Sequence, residues 1–144
     1  TLRPHRIILV DDGSADRTVE AARAFAERAG IDLTVIPRAN FGLGAGIPTT
    51  PWDWSFDLTE EEAAERLGGC PDGAVLVVHS PPHGHCDRSS AGEHLGSTAI
   101  LEAVERTRPP LAVCGHIHEA WGERSEIDGS AIANLGPHGA ELEV

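Results

Sequence analysis

The sequence has no tyrosine and no methionine, and only three tryptophans and three phenylalanines. With aromatics at 4 %, its core must rest on Val, Ile, Leu and Ala. Cysteine is also scarce: Cys70, Cys86 and Cys114 are odd in number and form no C-x-x-C pair. This argues against a disulfide framework and fits a reducing compartment, so the expected location is cytoplasmic. No block of Lys or Arg offsets the acidic excess, and 11 basic against 23 acidic side chains leave a net charge of −12. Such a chain repels a nucleic-acid backbone and an anionic membrane surface, and neither is expected as a partner. No apolar run reaches membrane-spanning length, and no signal-peptide pattern is present. The sequence opens at Thr1 without an initiator Met, as expected of a fragment, a fusion or a misassembled reading frame.

What is present suffices for one ordinary core: 144 residues, 40 % of them apolar. Arg6 to Val10 is a β-branched run ending in Asp11-Asp12-Gly13-Ser14, which reads as a buried strand stopping at a polar turn. Apolar residues at helical spacing follow from Val19 to Ala29, with Gly30 as the stop, and Leu33 to Ile36 is a second strand. Together they make a β-α-β unit. A Gly- and Pro-rich loop is expected over 37–57, then a helix from Thr59 to Leu67 whose Glu60 to Glu62 form an exposed acidic start. Ala74 to Val78 reads as a strand covered on both faces. Ser97 caps a helix to about Arg106, and Leu111 to Cys114 is another buried strand. Turns at Asp128-Gly129 and Pro137-His138-Gly139 make the tail short antiparallel strands. No internal repeat or low-complexity segment is present.

Seven of the eight histidines lie at or beyond His79. His79 follows one predicted strand directly, and His116 and His118 follow another. One helix connects those strands, so they are expected to be parallel neighbours, with three imidazoles converging on the carboxyl edge of a sheet. Neutral imidazole is the commonest ligand of zinc, iron and manganese. His83, His85 and Cys86, in the loop between, read as substrate-facing or solvated rather than as a further metal site. His94 and His138 receive no role, and Cys114 reads as packing.

These residues carry a resemblance. His79-Ser80-Pro81-Pro82, then Gly84 and Asp87, Gly96-Ser97, Cys114-Gly115-His116-Ile117-His118-Glu119, and Asn134-Leu135-Gly136 resemble the carboxyl half of calcineurin-like metallophosphoesterases. The resemblance runs back through Thr49-Thr50-Pro51-Trp52 toward Phe41. It implies an α/β, four-layer metallophosphoesterase-type sandwich, present here in part. It implies hydrolysis of small phosphomonoesters or diesters at two divalent ions (Mn, Fe or Zn) bridged by hydroxide. His79 and His116 would bind one ion and His118 the other, Gly115 would let the backbone turn beneath them, and Asn134 and Gly136 would shape a turn. The acidic composition is no obstacle, because bound ions supply local positive charge.

The same resemblance calls for amino-terminal D-x-H, G-D and G-N-H motifs, and none occurs in these residues. In their place, Ile7-Ile8-Leu9-Val10-Asp11-Asp12-Gly13-Ser14-Ala15-Asp16 is similar to the opening of family 2 glycosyltransferases, as are Val35-Ile36 and Asn40-Phe41-Gly42. There the acidic pair would contact the nucleotide of a sugar donor. No D-x-D for a metal-bound diphosphate is present. The expected organisation is therefore a glycosyltransferase-like β-α-β unit over 1–40 and the carboxyl-terminal part of a metallophosphoesterase domain over 41–144. The leading expectation is a phosphoesterase lacking its amino-terminal ligands. A nucleotide-sugar glycosyltransferase fragment and a non-catalytic fusion are the alternatives. One rescue is open: Asp11 or Asp12, at a strand's carboxyl end, could replace the missing bridging carboxylate.

Overall fold

The computed structural model describes residues 6–11, 16–37, 39–51, 54–140 and 142. It divides into two compact units, Thr1–Ala39 and Asn40–Val144. In the first, strand β1 (Arg6–Asp11) pairs in parallel with β2 (Asp32–Pro37). Helix α1 (Thr18–Ala29) connects them and ends at Gly30, which turns left-handed at φ 64° and donates its N–H to Ala26 and Glu27. Ala26 is the one buried hydrophobic residue described in this unit, and Phe25 is 56 % exposed. Asp12, Gly13 and Ser14 lie outside the described residues.

The second unit holds a five-stranded sheet in the order β3-β4-β5-β7-β6. Its strands are β3 (Asn40–Leu43), β4 (Val75–Val78), β5 (Leu111–Cys114), β6 (Arg124–Ile127) and β7 (Ser130–Asn134). All adjacent pairs are parallel except β6 with β7. This is an α/β fold with a mainly parallel sheet.

Three expectations are corrected. Asn40–Leu43, read as loop, is an edge strand; so short and glycine-containing a run acquires its conformation from pairing with β4 rather than from its own propensity. The tail is not wholly antiparallel: β7 runs parallel to β5, and Gly136–His138 is a 3₁₀ turn. β4 is not covered on both faces. Leu76 and Val78 are buried whereas Val77 is 46 % exposed, because a continuous apolar run does not reveal which face lacks cover.

Helices α2 (Glu60–Leu67) and α3 (Thr98–Thr107) join the sheet in one apolar cluster. Ala63 and Leu67 of α2 and Ile100 and Val104 of α3 meet Leu76, Ala112 and Ile132 there. Each fully buried Leu or Ile contributes about 1.5–3 kcal/mol. Thr59 caps α2 in a reciprocal box with Glu62. Glu60 does more than begin a helix. Its carboxylate accepts from Ser97 Oγ (2.7 Å) and from the Thr98 and Ala99 N–H groups (3.1 and 2.8 Å). One helix thus supplies the anion that the amino terminus of the next favours.

Candidate metal centre

The site grows from the carboxyl ends of β4 and β5. His79 follows β4 directly, and its carbonyl accepts the Gly115 N–H at 3.0 Å, which joins the two strand ends. The backbone turns sharply at His116, whose φ of +63° is left-handed. The strained residue is therefore the histidine itself rather than Gly115. Buried Asn134 holds this turn. Its Nδ2 donates to the carbonyls of Gly115 and Ile117 (3.1 Å each) and of Cys86 (3.3 Å), and its Oδ1 accepts the Gly136 N–H.

His79 Nε2 and His116 Nδ1 lie 3.0 Å apart, their rings edge to face. Burial foremost, and the charge of His79 next, hold His116 below the ordinary imidazole range, while Asp57 pulls the other way. His118 opens a 3₁₀ turn (His118–Ala120), and its ring lies against Trp121 at a centroid distance of 4.5 Å. All three imidazoles line one cavity of about 1040 Å³, walled also by Pro48, Thr50, Trp54, Phe56 and Leu95.

Asp57 and Glu119 line the same cavity; Glu119 ends the motif of His116 and His118, whereas Asp57 did not stand out in the sequence. Asp57 closes the loop after β3. Its Oδ2 accepts from Thr50 N–H (2.8 Å), Thr50 Oγ1 (2.6 Å) and Ser55 Oγ (2.8 Å). The Thr50 bonds foremost hold its carboxyl below the ordinary range, against some burial. The loop histidines face elsewhere. His85 bonds Ser125 Oγ at 2.6 Å, and the rings of His83 and His94 lie 5.8 Å apart. Cys86 and Cys114 are buried thiols, pushed up by burial, Cys114 to about 12, and neither is among the residues lining the cavity.

Asp87 organises the loop that begins at Pro81. Wholly buried, it accepts from His94 Nδ1 at 2.6 Å and from the N–H groups of Gly84 and Gly96 at 2.8 and 2.9 Å. A side chain at Gly96 would collide with the Pro82 carbonyl and with Asp87 itself. Burial raises the Asp87 carboxyl, but His94 and the two N–H groups outweigh it and leave the group below its ordinary value of 3.8. A depressed carboxylate adds stability above its unfolded pKa, and this is lost as pH falls through the folded one. Urea unfolding of the wild type should therefore weaken steeply below about pH 4, and Asp87→Asn should flatten that limb. Identical slopes for the two proteins would show that Asp87 carries no such term.

Do these residues fit a metal ion? Two nitrogens bound to one ion at about 2.0–2.1 Å and near-tetrahedral angles stand roughly 3.3 Å apart, close to the His79–His116 separation. Yet among the described residues no three His, Cys, Asp or Glu side chains converge as ligands. The residues supply part of one ion's shell and do not fit a two-ion centre. Asp11 and Asp12 bring no further ligand into view: the side chain of the first and the whole of the second lie outside the described residues.

Metallophosphoesterase domain-containing protein 1 of Homo sapiens is 36 % identical over 83 residues, covering 54 % of this chain and 26 % of its own length. A UPF0046 protein of Caenorhabditis elegans is 37 % identical over 88 residues, 56 % of this chain and 22 % of that protein. This chain contains a metallophosphoesterase-like region. It spans about a quarter of the length of these metallophosphoesterase-like relatives. The family model of glycosyl transferase family 2 matches residues 1–49, so the chain is glycosyltransferase-like at its amino terminus. A solved crystal structure of 18 % identity superposes with a TM-score of 0.52, covering 91 % of this chain and 56 % of that one, a likeness of fold alone.

Proposed function

We propose that residues 41–144 are the carboxyl-terminal part of a metal-dependent phosphoesterase domain acting on small phosphomonoesters or diesters. In this reading His79, His116 and His118 are the metal-facing residues, and the chain supplies only the carboxyl-terminal share of the ligands. The observation that carries it is the pair of imidazole nitrogens 3.0 Å apart on the ends of adjacent parallel strands, in a chain that contains a metallophosphoesterase-like region. Manganese, iron or zinc suits such ligands. No helix among the described residues is long and apolar enough to cross a membrane, and a cytoplasmic location is part of the proposal.

The test is metal content of the purified chain after incubation with Mn²⁺, Fe²⁺ or Zn²⁺. At most one ion per chain is expected, lost in His79→Ala and in His116→Ala. His118→Ala, whose ring rests on Trp121, should lower occupancy far less. Occupancy unchanged in the His79→Ala/His116→Ala double variant would overturn the reading. Two ions per chain would show that a carboxylate reaches the site and would make phosphoesterase assays the next measurement.

A second reading is favoured by the family match over 1–49: the 1–40 unit binds the nucleotide of a sugar donor through Asp11 and Asp12. Calorimetric titration with a uridine diphosphate sugar separates the two, since heat lost in Asp11→Ala/Asp12→Ala belongs to this reading alone.

A further inference from the structure

We propose that Asp57 is a positioning residue for His116, acting across Gly46 to set the imidazole that pairs with His79. The inference rests on the reading of His79 and His116 as the cation-binding pair. Residue 57 sits opposite Gly46 in a parallel bridge, bracketed by Gly46 N–H to Phe56 O (3.0 Å) and Leu58 N–H to Gly46 O (2.9 Å). With three donors on Oδ2, the carboxylate has one orientation. That orientation buries Oδ1 without a hydrogen-bond partner among the described residues. A polar atom left this way costs free energy and persists where the structure around it imposes the arrangement.

Oδ1 lies against Gly46. A methyl group there would overlap Oδ1 and would stand 3.3 Å from Asp57 Cγ and 3.6 Å from His116 Cε1. Carboxylate and imidazole therefore approach one point, and only a residue without Cβ leaves it open. The Cε1–H edge of an imidazole is its most polarised carbon edge, suited to a carboxylate oxygen. Asp57 Oδ1 and His116 Cε1 both border Gly46, and Nδ1 of the same ring lies 3.0 Å from His79 Nε2. The same carboxylate grips Thr50 and Ser55, so the cavity wall bearing Trp54 and Phe56 is tied to the histidine pair.

The decisive measurement is the ring Cε1–H NMR resonances of the histidines at pH 8.5, above the ordinary imidazole range. Asp57→Asn, nearly isosteric, should move the His116 resonance while those of His83 and His138 stay. Thr50→Val, which removes one bond to Oδ2, should move it in a protein less perturbed at the site. Zn²⁺ affinity, measured against a chromophoric chelator, should fall about tenfold in Asp57→Asn. Gly46→Ala should weaken Zn²⁺ binding alone but add nothing to Asp57→Ala, because the overlap it creates is with Asp57. A folded Asp57→Asn variant with an unmoved His116 resonance overturns the proposal. Zn²⁺ binding that survives His79→Ala sinks the histidine-pair reading instead, and the NMR result still decides the role of Asp57.

Discussion

Asn134→Ala should lower the stability of the Asn40–Val144 unit by about 3 kcal/mol, as read by urea unfolding at neutral pH. One amide nitrogen serves the carbonyls of Cys86, Gly115 and Ile117, and Asn134 is 1 % exposed. Removing it deletes two N–H donors, one of them shared between carbonyls, worth about 1 kcal/mol each, and leaves buried acceptors without donors, the costlier part. For a unit of this size the shift in melting temperature is roughly 12–20 °C. The loss should be local in origin. The Gly115–Ile117 turn holds His116 left-handed, so Zn²⁺ binding should weaken in the variant even where the fold persists. Asn134→Asp keeps the size but turns oxygen toward three carbonyls, and should destabilise at least as much. A change below about 1 kcal/mol in both variants would mean that the turn is held by its backbone alone.

The second large effect concerns the two units. The Asn40–Val144 unit carries a cluster of buried side chains drawn from both its helices and its sheet. The described part of the Thr1–Ala39 unit is one helix and a single pair of strands. A chain segment of about 40 residues with two strands is at the lower limit of what folds by itself. Hydrogen exchange should therefore show amides of β1 and β2 opening at free energies several kcal/mol below those of β4, β5 and β7. Limited proteolysis of the whole chain should leave a resistant piece beginning near Asn40. One cooperative transition, with β1 amides as protected as those of β5, would show that the first unit's stability comes from elsewhere than its own core.

The family model of glycosyl transferase family 2 runs to residue 49, past the boundary of the first unit and through β3. The last ten residues of that match thus build the edge strand and the first cavity residues. Asn40-Phe41-Gly42-Leu43 pairs with β4 in parallel, with Leu43 buried and Phe41 packed against the core cluster.

Much of the arrangement was legible in the residues alone. Continuous apolar runs before His79 and before Gly115-His116, separated by a capped helical pattern, define two parallel strands whose ends share an edge. The spacing of those strand ends brings His79 and His116 into one neighbourhood, and such periodicity is a local property of the chain. The caps at Thr59 and Ser97, the stop at Gly30 and the hairpin at Asp128-Gly129 are equally local. Tertiary structure alone decided the rest. Glu60 reaches Ser97 across 37 positions, Ile47 N–H finds Ser80 Oγ across 33, and Asn134 gathers carbonyls from two distant loops. Asp57 carries no motif, since its role depends on Gly46 lying opposite and on His116 arriving from another strand. Side-chain identity and spacing determine which elements form and where their ends fall. Which polar groups meet across those ends depends on distances that no local pattern encodes, because such contacts form only once assembly of the sheet has brought distant segments together.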